Sequence, residues 1–286
     1  MTAAPIRAAF QGETGAFSEQ AARQFFGAAA APLPHRTFED MFAAVATGAA
    51  DVAVAPIENT LAGSILKNYD LLVEHDLTII GETVVHVVHN LIGHPGAKLQ
   101  DIRRIYSLPV ALAQCERFLA SLHGVEILPA YDTAGSVKMV MESGRREDAA
   151  VAGRGAAAAF GAEIIVAGIE SSPHNYTRFF VLARPDRAAA IPIPADATAQ
   201  PRKTSIVYRI GHKPGGLYGS LAPFADEGID LTKIESRPLE GRPWEYSFYL
   251  DFIGDRGDPR IARALQRLSA LADNVRVLGS YTRASG

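Results

Sequence analysis

A chain of 286 residues, 48% hydrophobic and 21% charged, is long enough for roughly two domains with buried cores. Its formal net charge of -3 lacks the basic excess that nucleic acid or an anionic membrane would require. One cysteine, Cys115, permits no internal disulfide and suits a reducing cytoplasm; no run nears the ~18 apolar residues of a membrane span, the first ten residues hold no signal-peptide-like stretch, and the eight scattered histidines give no metal-ligand spacing.

Ile6 to Phe10 reads as a short strand. Gly12-Glu13-Thr14-Gly15 follows, and then Phe17, Ala21, Gln24 and Phe25 recur at helical spacing. Glycines let a backbone approach a ligand, and a helix N-terminus offers N–H groups to an anion; the same spacing also makes a plain tight turn. Thr37 is placed to cap a helix whose apolar face is Phe38, Met41, Phe42 and Val45, with Gly48 at its end and a buried strand over Asp51 to Ala55. Pro56-Ile57-Glu58-Asn59-Thr60 and Gly63-Ser64 come next. Ligands of open α/β sheets lie beyond the carboxyl ends of strands, which makes Glu58, Asn59, Thr60 and Ser64 candidate contacts; a proline-initiated turn closed by Asn59 is the alternative. Asn68 to Val73 predicts a helical turn.

Val84 to Val88 predicts a strand or a hinge between two lobes. His86 and His89 fall on opposite faces of such a strand, a poor metal pair and more in keeping with structural histidines. Ile105-Tyr106-Ser107-Leu108-Pro109 reads as a strand feeding a helix, with Pro109 in its first turn and Ala111, Gln114 and Cys115 inside it. Asp132-Thr133-Ala134-Gly135-Ser136 repeats the design before Val137, Val140 and Met141. Either loop serves an anion or simply caps its helix. Cys115 has no activating neighbour in the sequence and reads as a packed helix residue. Ala149 to Gly153, the alanine-rich helix Arg154 to Phe160 and Ile164 to Ala167 complete this half.

Asn175-Tyr176-Thr177-Arg178 then places an amide, a phenol, a hydroxyl and a guanidinium in succession before the apolar run Phe179 to Ala183. The pattern predicts a polar loop feeding a buried strand. Arg178 offers a bidentate fork to a carboxylate, and Thr177 a hydrogen bond to a departing oxygen; a strand-entry loop with a surface arginine is the bland alternative. Residues 185–202, with Pro185, Pro192, Pro194 and Pro201, read as a linker. Beyond it the order is strand (Thr204 to Ile210), helix (Gly216 to Glu227), strand (Asp230 to Arg237), strand (Glu245 to Ile253), helix (Pro259 to Leu271), strand (Val275 to Ser280), which is the βαββαβ order of ferredoxin-like domains. Gly215-Gly216-Leu217 and Glu235-Ser236-Arg237-Pro238 are ligand contacts or turn chemistry.

The segments GETGAFSEQAA (Gly12 to Ala22), PIENTLAGSILKNYDLL (Pro56 to Leu72), SLPVALAQC (Ser107 to Cys115), DTAGS (Asp132 to Ser136), NYTRF (Asn175 to Phe179), KPGGLY (Lys213 to Tyr218) and ESRP (Glu235 to Pro238) together resemble the prephenate dehydratases that carry a C-terminal ACT regulatory domain. The resemblance runs almost end to end and keeps the family's order. It implies an α/β fold: a two-lobed, periplasmic-binding-protein-like catalytic domain over 5–184, with lobe one at about 5–82 and 172–184 and lobe two at about 83–171; a linker over 185–202; and a ferredoxin-like ACT domain over 203–282. It makes Thr177 the residue required for dehydration, with Asn59, Ser107, Gln114 and Arg178 in the same site. Glu58, Thr60, Ser64, Thr133, Gly135, Ser136 and Phe179 would complete the substrate site. Gly216, Leu217, Glu235, Ser236 and Arg237 would bind phenylalanine. Ala16, Leu108, Val110 and His212 depart from the family's usual residues; the first three bear on substrate preference and the last on an interface or effector contact.

The implied reaction converts prephenate to phenylpyruvate, carbon dioxide and water in phenylalanine biosynthesis, with feedback by phenylalanine through the ACT domain. It calls for no metal or organic cofactor and implies a cytoplasmic homodimer or homotetramer. A threonine of ordinary acidity is a poor proton donor, so stabilisation of the leaving oxygen by a hydrogen bond is favoured over outright acid catalysis. Arogenate dehydratase, the same chemistry on the amino-acid analogue, is the near alternative. A non-catalytic amino-acid sensor is the alternative from another class, opposed by the joint presence of Asn59, Gln114, Thr177 and Arg178.

Overall fold

A computed structural model describes residues 4–194, 201–211, 213–239 and 242–284, with the side chains of 242–244 excepted. His212 and residues 195–200 of the expected linker lie outside the described residues. In chain order the elements are β1 (Ile6–Gln11), α1 (Phe17–Phe26), β2 (Ala30–His35), α2 (Phe38–Ala46), β3 (Val52–Asn59), β4 (Gly63–Ser64), α3 (Leu66–Glu74), β5 (Thr78–His86), β6 (Asn90–Gly93), β7 (Arg104–Ser107), α4 (Pro109–Gln114), α5 (Glu116–Ala120), β8 (Glu126–Pro129), α6 (Thr133–Ser143), β9 (Asp148–Ala152), α7 (Arg154–Phe160), β10 (Glu163–Val166) and β11 (Tyr176–Ala183). They are followed by β12 (Arg202–Ile210), α8 (Gly216–Asp226), β13 (Leu231–Leu239), β14 (Arg242–Ile253), α9 (Pro259–Ser269) and β15 (Asp273–Thr282). None of the described helices is long and apolar enough to cross a membrane.

The chain divides into two compact units: residues up to His75 together with Thr83–Phe180, and Asp76–Glu82 together with the residues from Val181 onward. The first unit holds two sheets wound alike, the pairing expected of a periplasmic-binding-protein-like catalytic domain. One runs β2-β1-β3-β11-β5 with β4 against β3; the other runs β8-β7-β9-β6-β10. Strands β1, β2 and β3 are parallel, as are β7, β8 and β9, so their carboxyl ends share one edge of each sheet, where α/β folds hold ligands.

Local sequence explains these elements. Thr37 caps α2 by accepting the Asp40 N–H at 3.1 Å, and Met41, Phe42 and Val45 are buried. Pro109 occupies the first turn of α4. Strand β2 contains Pro32 and Pro34, which donate no ladder hydrogen bond, and it lies at the sheet edge, where that is tolerated. The two lobes share a core: Phe10 and Ala16 pack with Ile92, Ala134, Val137, Val140, Ala152 and Ala156. Gly15 makes that approach possible. Its φ is +87°, and a Cβ there would stand 2.6 Å from the Ala156 backbone.

The second unit is an antiparallel sheet of order β13-β14-β12-β15, the ferredoxin-like arrangement anticipated from its element order. Helices α8 and α9 cover one face around Ile206, Tyr208, Phe224, Leu250, Phe252, Ile261 and Leu268. The segment Asp76–Glu82, expected in lobe one, groups with this unit. Thr78 donates to the Leu278 carbonyl at 2.8 Å, and Lys203 reaches Glu82 at 2.8 Å with both side chains buried.

Candidate active site

Five side chains converge where β3 and β11 meet the lobe carrying α4. Asn59, the last residue of β3, donates from Nδ2 to Thr177 Oγ1 at 3.0 Å and to Asn175 Oδ1 at 2.8 Å. Asn59 Oδ1 accepts the N–H groups of Leu61 at 3.0 Å and Ala62 at 2.9 Å, and Gln114 Nε2 at 3.2 Å. Gln114 Oε1 meets Asn175 Nδ2 at 3.0 Å and His89 Nε2 at 2.8 Å. All five are largely buried or half-buried: Asn175 is fully enclosed, while Asn59 and Thr177 keep 8% and 9% of their surface. Three of the expected catalytic residues, Thr177, Asn59 and Gln114, therefore lie in one hydrogen-bonded group drawn from both lobes.

Arg178 does not join this hydrogen-bonded group. Successive residues of a strand face opposite sides of the sheet. Thr177 points toward Asn59, whereas Arg178 Nη2 pairs with Glu58 Oε2 at 3.0 Å and its guanidinium lies 5.1 Å from the Phe180 ring centre. Glu58, expected to touch substrate, is engaged in the same ion pair. Phe179 shares the Thr177 side but is buried in the core at 1% exposure.

Other expected contacts are engaged with the protein itself. Ser107 is fully buried and donates to the Val151 carbonyl at 2.6 Å, tying β7 to β9. Thr60 donates to the His174 carbonyl and accepts the Tyr176 N–H, pinning the loop before β11. Ser64 lies in β4, opposite Glu58. At α6 the anion-friendly terminus is filled by an acid from its own cap: Asp132 accepts the Gly135 N–H at 2.8 Å, and Ser136 donates to the Asp132 carbonyl. Thr133 opens that helix, and the Tyr131 ring covers Gly135. Burial raises the Asp132 carboxyl above its usual value, against the backbone hydrogen bonds that lower it. Likewise Glu19 accepts the Gly15 N–H at 2.7 Å at the start of α1.

Two members of the cluster, His89 and Asn175, were not among the expected site residues. Asn175 is flagged by lying beside Thr177. His89 has no signal in the sequence: β5 ends at His86, so the strand parity assumed for the two histidines does not reach it. The His86 ring stacks on Tyr176 with centroids 4.7 Å apart, whereas His89 turns to Gln114. A cavity of about 1240 Å³ opens between α1 and α7, lined by Phe17, Gln20, Arg23, His86, Arg154 and Ala158 among others, with none of Thr177, Asn59 or Gln114 on its wall. Cys115 is buried, its thiol pushed up to about 12 by burial and by Glu170, which makes it no nucleophile. Among the described residues no group of three His, Cys, Asp or Glu side chains is placed to hold a metal ion.

In the second unit a cavity of about 490 Å³ is lined by Gly216, Leu217, Ser236, Lys213 and Tyr246 among others. It gathers three of the five expected effector contacts. Glu235 and Arg237 face the other side of β13 by strand alternation, and Glu235 pairs with Lys233 at 3.6 Å.

The family model "Prephenate dehydratase" matches residues 8–187. Arogenate dehydratase 2 of Petunia hybrida is 40% identical over 98% of this chain and 73% of its own length. A bifunctional N-acyl-homoserine lactone acylase/prephenate dehydratase of Komagataeibacter europaeus is 40% identical over 96% of this chain and 94% of its own. The crystal structure of prephenate dehydratase from Arthrobacter aurescens in complex with L-Phe superposes with a TM-score of 0.85 at 32% identity, covering 97% of this chain and 90% of that one. The chain belongs to the prephenate dehydratase family.

Proposed function

We propose that this protein catalyses the decarboxylating dehydration of prephenate to phenylpyruvate, a carbon–oxygen lyase step of phenylalanine biosynthesis. The observation that carries the reading is the direction of the bonds at Thr177. Asn59 Nδ2 donates to Thr177 Oγ1, and among the described residues no acceptor takes the Thr177 hydrogen. The hydroxyl hydrogen is thereby left for an acceptor on the substrate.

The ring-to-carboxylate C–C bond breaks and carbon dioxide departs. The released electron pair flows through the ring and expels the hydroxyl at the opposite carbon, so the ring becomes aromatic. A hydrogen bond from Thr177 stabilises the oxygen as negative charge grows on it, and a proton from solvent completes water. A preorganised donor needs no reorganisation at that moment, and removing one such donor commonly costs about 10²–10³-fold in turnover. Asn59, held by two backbone N–H groups, fixes the threonine; Asn175 in its own lobe and Gln114 in the other fix Asn59.

Arogenate, in which an amino group replaces the side-chain ketone, is the second reading, supported by the names of relatives such as the Petunia enzyme. The cluster contacts the ring hydroxyl in this account, and that group is common to both compounds. Rates with prephenate and with arogenate, measured side by side on the purified full chain, distinguish the two. Turnover of neither overturns the proposal. Phenylalanine is the proposed effector, held in the cavity of the second unit that includes Gly216, Leu217 and Ser236 and read as an ACT domain.

A further inference from the structure

The geometry points to His89 as a positioning residue that sets the direction of the hydrogen bonds ending on Thr177. This inference rests on the dehydratase reading for its kinetic consequence but not for its geometry. Two backbone donors anchor the chain of bonds. The N–H groups of Leu61 and Ala62 can only donate, so the atom they reach on Asn59 is its oxygen. The remaining Asn59 atom is then the amide nitrogen, and its 3.2 Å approach to the Tyr176 carbonyl agrees, since a carbonyl only accepts.

Gln114 donates to the same Asn59 oxygen, so its nitrogen faces Asn59 and its oxygen faces His89 and Asn175. An oxygen accepts; His89 Nε2 must therefore carry hydrogen. The opposite ring nitrogen, Nδ1, is buried with no hydrogen-bond partner among the described residues. A proton there would be a buried donor with nothing to bond, so the imidazole is neutral, with its one hydrogen on Nε2. Burial holds the group below its usual value, against the Gln114 bond and the charge of Glu170, whose carboxylate accepts the His89 backbone N–H at 2.9 Å. Phe17 closes the other side, edge-on with ring centres 5.7 Å apart.

The order of donation is then His89 to Gln114, Gln114 to Asn59, and Asn59 to Thr177. Without the first donor, the Gln114 amide keeps only Asn175 on its oxygen, and its flipped orientation sets oxygen against the Asn59 oxygen. The hydroxyl at the end of the chain loses its fixed direction, an effect on turnover more than on affinity.

The test has two arms on the full chain. NMR of isotopically enriched imidazole nitrogens, with His89 assigned by its loss in His89→Gln, should show a neutral ring protonated at Nε2 near neutral pH. A ring protonated at Nδ1, or a cationic ring, overturns the inference whatever the activity. In the kinetic arm, His89→Leu keeps the apolar packing on Phe17 but has no donor, and its kcat should fall about 10-fold or more while KM stays within about 3-fold. His89→Gln places an amide N–H near the Nε2 position and should recover most of the loss. A purely structural histidine predicts a lower melting temperature for both variants with kcat unchanged. Wild-type kcat in His89→Leu, or a His89→Gln variant as slow as His89→Leu, overturns the inference. If His89→Leu does not fold, His89→Gln and the tautomer decide. If the wild type turns over neither prephenate nor arogenate, the dehydratase reading falls, and the tautomer still decides the geometry.

Discussion

Asn59 and Thr177 are 118 positions apart in sequence and share a hydrogen bond of 3.0 Å, while their chain neighbours Glu58 and Arg178 share an ion pair of 3.0 Å. Two adjacent strands thus present a neutral hydrogen-bonding pair on one side and a charged pair on the other. The first pair is the catalytic candidate; the second holds the strands together.

This separation predicts different phenotypes for neighbouring substitutions. Arg178→Leu removes the ion pair with the partly exposed Glu58 and should lower unfolding free energy by ~0.2–1 kcal/mol. Glu58→Gln/Arg178→Leu should be less destabilising than the sum of Glu58→Gln and Arg178→Leu. Denaturant titration of the four proteins measures it. Additivity would show that the two side chains do not depend on each other.

The second unit contains a more enclosed pair, Lys203 with Glu82, exposed by only 6% and 2% of their side-chain surfaces. Lys203→Met leaves Glu82 buried and should cost ~3–5 kcal/mol, with much of the loss restored in Lys203→Met/Glu82→Leu. Urea unfolding monitored by circular dichroism reads both variants.

What the sequence made legible was local. Thr37, Asp132 and Pro109 sit at the helix starts they signal, and the six elements of the second unit appear in the expected order. Strand β2 was not legible because Pro32 and Pro34 argue against a strand; only its edge position, a property of the whole sheet, accommodates them. The motif Asn175 to Phe179 marked the site but not its faces. Arg178 follows Thr177 in the chain, yet strand alternation sets it beside Glu58 rather than Asn59. His89 and Gln114 are 25 positions apart, and nothing in either segment announces the other.

Cys115 supplies a prediction about pH. Its folded value, pushed up to about 12 from 9.0, means that the buried thiol stays neutral while an unfolded thiol ionises. The stabilisation is fully present below about 9 and is lost as pH rises toward about 12. A disulfide reagent at mildly alkaline pH should therefore react slowly with native protein and at once with denatured protein. Rapid labelling of the native chain would show Cys115 accessible.

Regulation gives a further contrast. Gly216 lines the cavity of the second unit, and a Cβ there meets its nearest neighbours only at 3.4 Å, so a larger side chain fits the fold while filling the cavity. Gly216→Val should weaken the response to phenylalanine by about 10-fold or more in concentration, with basal rate preserved; effector couplings are commonly ~1–3 kcal/mol. Glu235→Ala, on the opposite face of β13, should change the response much less. Initial rates against phenylalanine concentration separate them, and equal desensitisation would place the effector elsewhere.

The most direct measurement is the rate of phenylpyruvate formation from prephenate by purified wild type, Thr177→Ser and Thr177→Ala. The wild type should turn over. Thr177→Ala should lose about 10²-fold or more in kcat with little change in KM, and Thr177→Ser, which keeps the hydroxyl, should fall between them. A Thr177→Ala enzyme as fast as wild type would contradict the account, because the bonds from His89 through Gln114 and Asn59 would then end on a residue the reaction does not use.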